Sequence, residues 1–241
     1  MTRVLITRPW EDAEPLAAWL TERGHEALID PMLDIERLPA PEDDRTGVQG
    51  LLFTSANGVR AYGSPVDPLL PVYAVGAATA AAARSLGFQA VVSAAGDVSA
   101  LAALVIESCT PTAGVLLHIA ASDRAGDLAG LLTQAGFDVH RQVRYRARPA
   151  KALTPATVAA LTAGKIDVAL LFSPRTARTL GTAIALAGLA GACRVVTAAC
   201  LSAPVAEAAA EAVPWGRLWV ATSPTQESLL AVLDESDTGE P

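Results

Sequence analysis

The feature that most restricts the fold of this chain is an internal repeat. The pattern LAxxLTxxG at residues 16–24 recurs at residues 128–136 with every specified residue unchanged. A short apolar run precedes each copy, VLIT at residues 4–7 and VLLH at residues 115–118. Because a strand followed by a helical pattern is typical of a βα unit, the repeat predicts a duplicated parallel α/β unit.

The later parts of the two copies correspond as well. The run LLFTS at residues 51–55 has its counterpart in LLFSP at residues 170–174, with one residue deleted. Each copy closes with a strand, at residues 90–92 or 218–221, and a helix follows it. The predicted fold class is α/β, with two similar lobes whose parallel sheets are flanked by helices, as in duplicated flavodoxin-like or Rossmann-like units.

The first copy shows where its elements begin and end. Apolar positions predict a helix from about Glu11 to Arg23, and Gly24 ends it. The second strand begins at residues 27–29, and we expect it to continue through residues 31–35. The prolines at residues 38–41 then mark a linker or an exit from the lobe.

Two of the predicted strands end in small polar residues and glycine. TSANG at residues 54–58 follows one strand, and GAAT at residues 76–79 follows the next, before an alanine-rich helix. Parallel strands that lead into helices at one sheet edge place N–H groups and hydroxyls around one crevice. Helix N-termini favour anions, so the crevice suits carboxylates or phosphates. The plain alternative is that Gly76 and Thr79 form only a turn and a helix cap.

Composition and charge exclude several classes of protein. The net charge of −7 argues against binding to nucleic acid or to an anionic membrane surface. No apolar run approaches the length of a membrane span, and the first ten residues lack an apolar signal core, so we expect a cytoplasmic protein. The three cysteines are never spaced as CxxC, which argues against a disulfide framework or a zinc site.

Motifs of common catalytic machinery are missing from the sequence. We find no GxSxG, HExxH, P-loop or complete GxGxxG pattern, so a nicotinamide cofactor is not indicated. The three histidines, His25, His118 and His140, are scattered and share no catalytic spacing. His118 ends a strand and can line a cleft, but a structural role is the more common one. We therefore expect catalysis to tolerate the loss of any histidine.

Several motifs together resemble one known family, the uroporphyrinogen-III synthases. They are VLITRP at residues 4–9, FTSANGV at 53–59, VYAVGAATA at 72–80, Tyr145 after the repeated Gly136, FSP at 172–174 and ATSPT at 221–225. The resemblance covers essentially the whole chain. It rests on the order and spacing of the motifs, since none of them is specific alone.

The resemblance implies an exchange of segments that the repeat alone does not show. In this family the first strands belong to the same lobe as the C-terminal half, and a two-stranded connector joins the lobes. The implied lobes are residues 1–35 with 147–241 and residues 37–144, with connectors near residues 34–37 and 143–147. The repeat by itself would divide the chain near residue 112.

The resemblance also implies the reaction and its partners. Family members dehydrate and cyclise hydroxymethylbilane, a linear tetrapyrrole rich in carboxylates, and invert its ring D to give uroporphyrinogen III. The electron-rich pyrroles assist the loss of the terminal hydroxyl, so the protein has to position the chain and help water leave. We expect a lyase without a cofactor or metal, acting as a monomer, with transient contact to hydroxymethylbilane synthase.

Transferred residue by residue, the resemblance assigns Tyr145 and Thr79 to the reaction. Tyr145 is expected to donate a hydrogen bond to the departing hydroxyl, with packing in a connector strand as its alternative role. The alternative for Thr79 is helix capping. The expected substrate-binding residues are Arg8, Ser55, Asn57, Gly76, Arg124, Ser173 and Ser202. Turn capping competes with this role at the serines and Asn57, and a solvated surface position competes at the two arginines.

One turn departs from the family pattern. The second copy of the Gly-x-x-Thr turn has Ser202 and Val205 at the matching positions, with Pro204 between them. Val205 cannot bind a carboxylate through its side chain, and Pro204 has no N–H to donate. We predict that Ser202 becomes the helix N-cap and a binding group, with the N–H groups of Ala203 and Val205 as further donors.

A second class of function remains open at this point. A catalytically silent, bilobed ligand-binding or regulatory module can be built on the same duplicated fold. Isomer analysis of the product distinguishes this module from a synthase.

Overall fold

The computed structural model describes residues 1–39, 47–123 and 126–237. In chain order the strands are β1 Arg3–Ile6, β2 Glu26–Ile29, β3 Leu33–Arg37, β4 Val48–Phe53, β5 Val72–Ala74, β6 Val91–Ser93, β7 Val115–Ala121, β8 Val139–Pro149, β9 Val168–Leu171, β10 Thr197–Cys200 and β11 Arg217–Val220. The helices are α1 Trp10–Glu22, α2 Ala56–Tyr62, α3 Ala77–Ser85, α4 Val98–Ser108, α5 Leu128–Gln134, α6 Pro155–Thr162, α7 Pro174–Leu186, α8 Ala203–Ala212, α9 Gln226–Leu230 and α10 Val232–Asp237, with a 3₁₀ helix at Ala190–Val195.

The chain divides into two compact units. Unit 1 comprises Met1–Asp34 and Arg148–Pro241, and unit 2 comprises Ile35–Ala147. The chain passes from one unit to the other within β3 and within β8, and these two strands are neighbours in one sheet.

Each unit is built on its own parallel sheet. In the described part of the chain, the sheet of unit 1 has the order β11-β10-β9-β1-β2, and the other sheet has the order β3-β8-β7-β4-β5-β6. In the first sheet, every pair of neighbouring strands from β11 across to β2 is parallel. In the second sheet, every pair of neighbours from β8 across to β6 is parallel. The predicted α/β fold with two parallel sheets flanked by helices is thus confirmed.

The repeated motif forms the same helix end in both copies. After α1, Gly24 has φ +80° and His25 donates its N–H to the Leu20 carbonyl at 3.1 Å. After α5, Gly136 has φ +89°, and Phe137 donates to the Leu132 carbonyl at 3.0 Å. This hydrogen bond closes a left-handed helix end, a conformation that glycine adopts without strain. The repeated glycine therefore sets the direction in which each strand continues.

Strand alternation divides the core of unit 1 between the two faces of its sheet. Val4 and Ile6 pack with the apolar side of α1, whereas Leu5 lies in the cluster that includes residues of α7 and α8. Both faces of β1 are therefore buried, as expected for a parallel sheet covered by helices on both sides.

One sequence expectation differs from the structure. The second strand does not continue to residue 35: β2 ends at Ile29, and β3 begins at Leu33 in the other sheet. Asp30 and Met32 still donate their N–H groups to the carbonyls of Ile6 and Thr7 at 3.0 and 2.9 Å, and the chain then passes to the other unit within β3. The buried Asp30 carboxylate accepts hydrogen bonds from the N–H and the hydroxyl of Thr154 at 3.0 and 3.1 Å, which holds this end of β2 within unit 1. The proline-marked exit at residues 38–41 lies partly outside the described residues.

Candidate active site

The strand order of unit 2 places a crevice between β4 and β7. From β4 the chain proceeds through β5 to β6 on one side, whereas β7 and β8 lie on the other side of β4. The helices that follow β4 and β7 thus leave the sheet edge in opposite directions. Ligands of open α/β sheets bind at such a switch point, beyond the carboxyl ends of the strands.

A cavity of about 290 Å³ lies at this switch point. Its polar lining includes Thr54 and Ser55, which follow β4, His118 on β7, and Arg141 and Tyr145 on β8. The structure therefore brings together two of the predicted site residues, Ser55 and Tyr145.

Tyr145 is held firmly at the edge of this cavity. It is 6% exposed, and the ring lies close to Gly58 in the first turn of α2, where an added Cβ would be 3.7 Å from the ring. Its carbonyl accepts the N–H of Ser122 at 2.8 Å. Burial raises the pKa of the Tyr145 hydroxyl, while interaction with Ser55 and the charge of Arg141 oppose that effect. The raised pKa keeps the phenol protonated, so that it remains a hydrogen-bond donor.

Ser55 and Asn57 are fixed by the start of α2. Ser55 is the N-cap, and its hydroxyl oxygen accepts the N–H of Asn57 at 3.1 Å. The Asn57 side-chain oxygen accepts a hydrogen bond from Arg60 at 3.0 Å. The capping role that competed with substrate binding is therefore present at Ser55. The cap uses only the hydroxyl oxygen as an acceptor, so Ser55 can still donate its proton to the Tyr145 oxygen. Such a donor stabilises the phenolate, which agrees with Ser55 lowering the pKa of Tyr145.

Gly76 and Thr79 lie one strand further along, at the start of α3. The capping alternative for Thr79 is wrong, because Gly76 holds the N-cap position and Thr79 is in the first turn. Thr79 is 5% exposed, and no hydrogen bond joins its side chain to another described residue. These two residues lie outside the lining of the cavity.

The backbone at Gly76 does not require a glycine. Its φ of −158° is extended, and an added Cβ would have no heavy atom within 4 Å. We expect Gly76→Ser to fold with unchanged or slightly higher stability, because serine is a preferred N-cap. If the substrate contacts this backbone, its KM should rise about tenfold, which thermal melts and steady-state kinetics will show. Gly191→Ser is the matched control, since its Cβ also meets nothing within 4 Å; an unchanged KM for Gly76→Ser would exclude contact here.

The corresponding switch point in unit 1 is occupied by protein side chains. Arg8 follows β1, and its guanidinium lies 4.3 Å from the ring centre of Phe172 after β9. It also donates to Gln226 at 2.7 Å and lies 3.6 Å from the Asp12 carboxylate. Arg8 would have to exchange these contacts to bind a substrate carboxylate, and its binding role stays a prediction.

Ser173 and Ser202 start helices in unit 1 with different geometry. Ser173 caps α7, because its hydroxyl accepts the N–H of Thr176 at 3.1 Å. Ser202 occupies the N-cap position of α8 but makes no side-chain cap hydrogen bond, so the predicted capping by its hydroxyl is wrong. The N–H of Val205 is not available either, since it donates to the Ser202 carbonyl at 3.0 Å. The Ser202 hydroxyl remains a candidate ligand group.

The remaining expectations concern Arg124, metals and membranes. Arg124 lies outside the described residues. In the described ranges, no group of three or more His, Cys, Asp or Glu side chains is arranged to hold a metal ion. Helices long and apolar enough to cross a bilayer are likewise absent from the part of the chain that the structure describes.

Arg141 is the site residue that sequence reasoning missed. It pairs in register with His118 across β7 and β8, and both side chains line the cavity. Only the pairing of the two strands reveals this, since nothing in the local sequence relates the two residues.

Together, the fold and the site define a class of protein: an α/β protein of two units, each built on a parallel sheet, with a hydroxyl-lined cavity at the switch point of unit 2 that suits a polar small molecule. A family model described as uroporphyrinogen-III synthase HemD matches residues 14–231. The chain therefore belongs to the uroporphyrinogen-III synthase family, which confirms the resemblance seen in the sequence.

Solved structures agree with this family in fold. A mutant uroporphyrinogen III synthase from Thermus thermophilus is 22% identical, with a TM-score of 0.59 and 100% of each chain covered. The uroporphyrinogen-III synthetase of Helicobacter pylori is 18% identical, with a TM-score of 0.67 and coverage of 98% of this chain and 100% of that one. At these identities the likeness shows the fold alone. No curated protein sequence matches this chain significantly.

Proposed function

We propose that this chain is a cyclising lyase that converts hydroxymethylbilane to uroporphyrinogen III. The observation that carries the proposal is the family match over residues 14–231. The buried, protonated Tyr145 beside a cavity at the switch point supports it. The proposal extends to a monomer in the cytoplasm that receives its substrate from hydroxymethylbilane synthase.

The proposed chemistry needs positioning and one well-placed donor. The C–O bond of the terminal hydroxymethyl group breaks as the pyrrole nitrogen supplies its electron pair, and the departing oxygen takes up a proton from solvent to leave as water. The pyrrole carbon that later closes the ring releases a proton, so the overall change is the loss of one water. Ser55 donates to the Tyr145 oxygen, and the Tyr145 hydroxyl then donates to the departing oxygen. A fixed donor in a site shielded from water stabilises the charge that develops on the leaving group. No strong acid or base is required, because the substrate ionises by its own electron donation.

Substrate carboxylates are proposed to bind at the helix starts. The Thr79 hydroxyl and the backbone at Gly76 serve this role in unit 2, with the Asn57 side chain as a further donor. Ser55 gives its only proton to Tyr145 and so acts on the substrate through that tyrosine. Arg8, Ser173 and Ser202 do so in unit 1.

The decisive experiment is a coupled assay with isomer analysis. Porphobilinogen and hydroxymethylbilane synthase generate the substrate, the products are oxidised, and isomers I and III are separated. A synthase raises isomer III far above the spontaneous isomer I. A non-catalytic binding module would leave isomer I as the main product, and that outcome would refute the proposal.

Ser202 offers a test of the binding role in unit 1. Since its hydroxyl caps no helix, Ser202→Ala should leave the melting temperature unchanged and weaken substrate binding by about 1 kcal/mol, the value of one neutral hydrogen bond. Ser173→Ala removes a real cap and should destabilise the protein by about 1 kcal/mol. Thermal melts and KM values separate the two effects. A normal KM for Ser202→Ala would show that this turn binds no substrate.

A further inference from the structure

His118 is a buried polar side chain that the proposed mechanism does not use. It is 7% exposed on β7, and neither imidazole nitrogen has a hydrogen-bond partner among the described residues. A buried polar group without a partner forfeits a free energy comparable to a hydrogen bond, and such groups are uncommon in folded proteins. The ring nevertheless borders the cavity of unit 2. A ligand bound in the cavity would give this imidazole a hydrogen-bond partner.

Arg141 provides the charge at the same place. It is the register partner of His118 on β8, so the two side chains project side by side from one face of the sheet. One guanidinium nitrogen donates to the Ala121 carbonyl, which anchors the side chain beside the cavity. The guanidinium fork has further N–H donors, and its geometry matches a carboxylate.

We propose that this cavity binds a single pyrrole ring of the substrate and that Arg141, with His118 beside it, receives a carboxylate arm of that ring. This inference rests on the proposed function, because it takes the tetrapyrrole as the ligand. The carboxylate pairs with the guanidinium and also gives the neighbouring imidazole N–H an acceptor.

The size of the cavity and the distribution of charged side chains around it fit this ligand. At about 290 Å³ it is at the lower end of small-molecule pockets, a size that suits one ring with its arms better than a whole tetrapyrrole. Ala120 and Leu128 provide apolar walls for a ring. Asp123 and Asp127 are exposed at the rim, whereas Arg141 is half-buried and His118 is buried. Two acidic groups repel a carboxylate at the rim, so an anionic arm is favoured only where it reaches Arg141.

The first test is a titration of the intact wild-type protein with porphobilinogen, a single pyrrole that bears acetate and propionate arms. Isotope-labelled histidine gives NMR signals from only three residues, His25, His118 and His140, which single substitutions assign. The titration is run at pH 8, where the His118 ring is uncharged. We expect a saturable shift of the His118 signal alone. Absence of a saturable shift at His118, or equal shifts at all three histidines, would overturn the proposal.

The second test compares two arginine variants. Arg141→Gln should abolish the His118 shift and raise the KM for hydroxymethylbilane about tenfold, with kcat changed less than about twofold. Arg84→Gln is the matched control, because Arg84 also donates to a backbone carbonyl, that of Val91, but lies outside the cavity. It should leave KM and the His118 signal unchanged. A normal KM for folded Arg141→Gln would overturn the proposal, and the wild-type titration decides the matter if this variant fails to fold.

The failure of this inference is distinguishable from failure of the proposed function. If the wild-type protein forms isomer III but His118 shows no saturable shift, the subsite is wrong and the synthase activity stands. If no isomer III forms, the function is wrong whatever the titration shows.

Discussion

Tyr145→Phe is expected to lower kcat by about ten- to a hundredfold while leaving stability nearly unchanged. Removing one donor to a developing charge raises a barrier by roughly 1–3 kcal/mol. The ring of phenylalanine keeps the packing near Gly58, and the lost hydroxyl has only the Ser55 side chain as a described hydrogen-bonding neighbour. Single-turnover measurements of isomer III formation, with thermal melts alongside, give both quantities.

Tyr73→Phe is the control for this experiment. Tyr73 lies in the same unit and is 7% exposed, against 6% for Tyr145, but it does not line the cavity. Its substitution should leave the rate of isomer III formation unchanged. A normal rate for Tyr145→Phe would reduce this tyrosine to a packing role in β8.

The fold was predictable because its signals are local. Helix starts and ends depend on residues within one turn. Gly24 and Gly136 illustrate this, because both have a positive φ and the residue after each donates its N–H to the carbonyl of a leucine in the last turn. The order of strands within each sheet is not local. Local pattern alone did not place the break after β2, because it does not show that the residues of β3 pair with β8 in the other sheet, far later in the chain.

The site was predictable only in part, for the same reason. The caps at Ser55 and Ser173 follow from hydroxyl residues placed directly after strands. Tyr145 was identified through the family resemblance, and its position beside Ser55 depends on the neighbouring strands β8, β7 and β4. A register irregularity between Ala120 and Ala121 of β7 also affects where Tyr145 falls. The His118–Arg141 pair likewise exists only once β7 and β8 are aligned.

The second large effect concerns stability at acidic pH. Burial, and then the charge of Arg141, lower the pKa of His118 from 6.5 to about 4. Below pH 6.5 the His118 side chain of the unfolded chain therefore binds a proton, whereas that of the folded protein binds one only near pH 4. The free energy of unfolding then falls as the pH drops through this window, by about 3 kcal/mol from this group. Above pH 6.5 the imidazole is neutral in both states, and the contribution is constant.

Denaturant titrations between pH 7.5 and 4 can isolate this contribution. Other groups of the chain also take up protons over this range, so the wild-type protein must be compared with a variant at each pH. His118→Asn removes the titrating group, and its stability should fall less steeply with acidification than that of the wild type. His140→Asn serves as the control, because His140 is exposed, with 63% of its side chain accessible. Parallel pH profiles for wild type and His118→Asn would show that His118 takes up its proton equally in both states and is not held neutral by the fold.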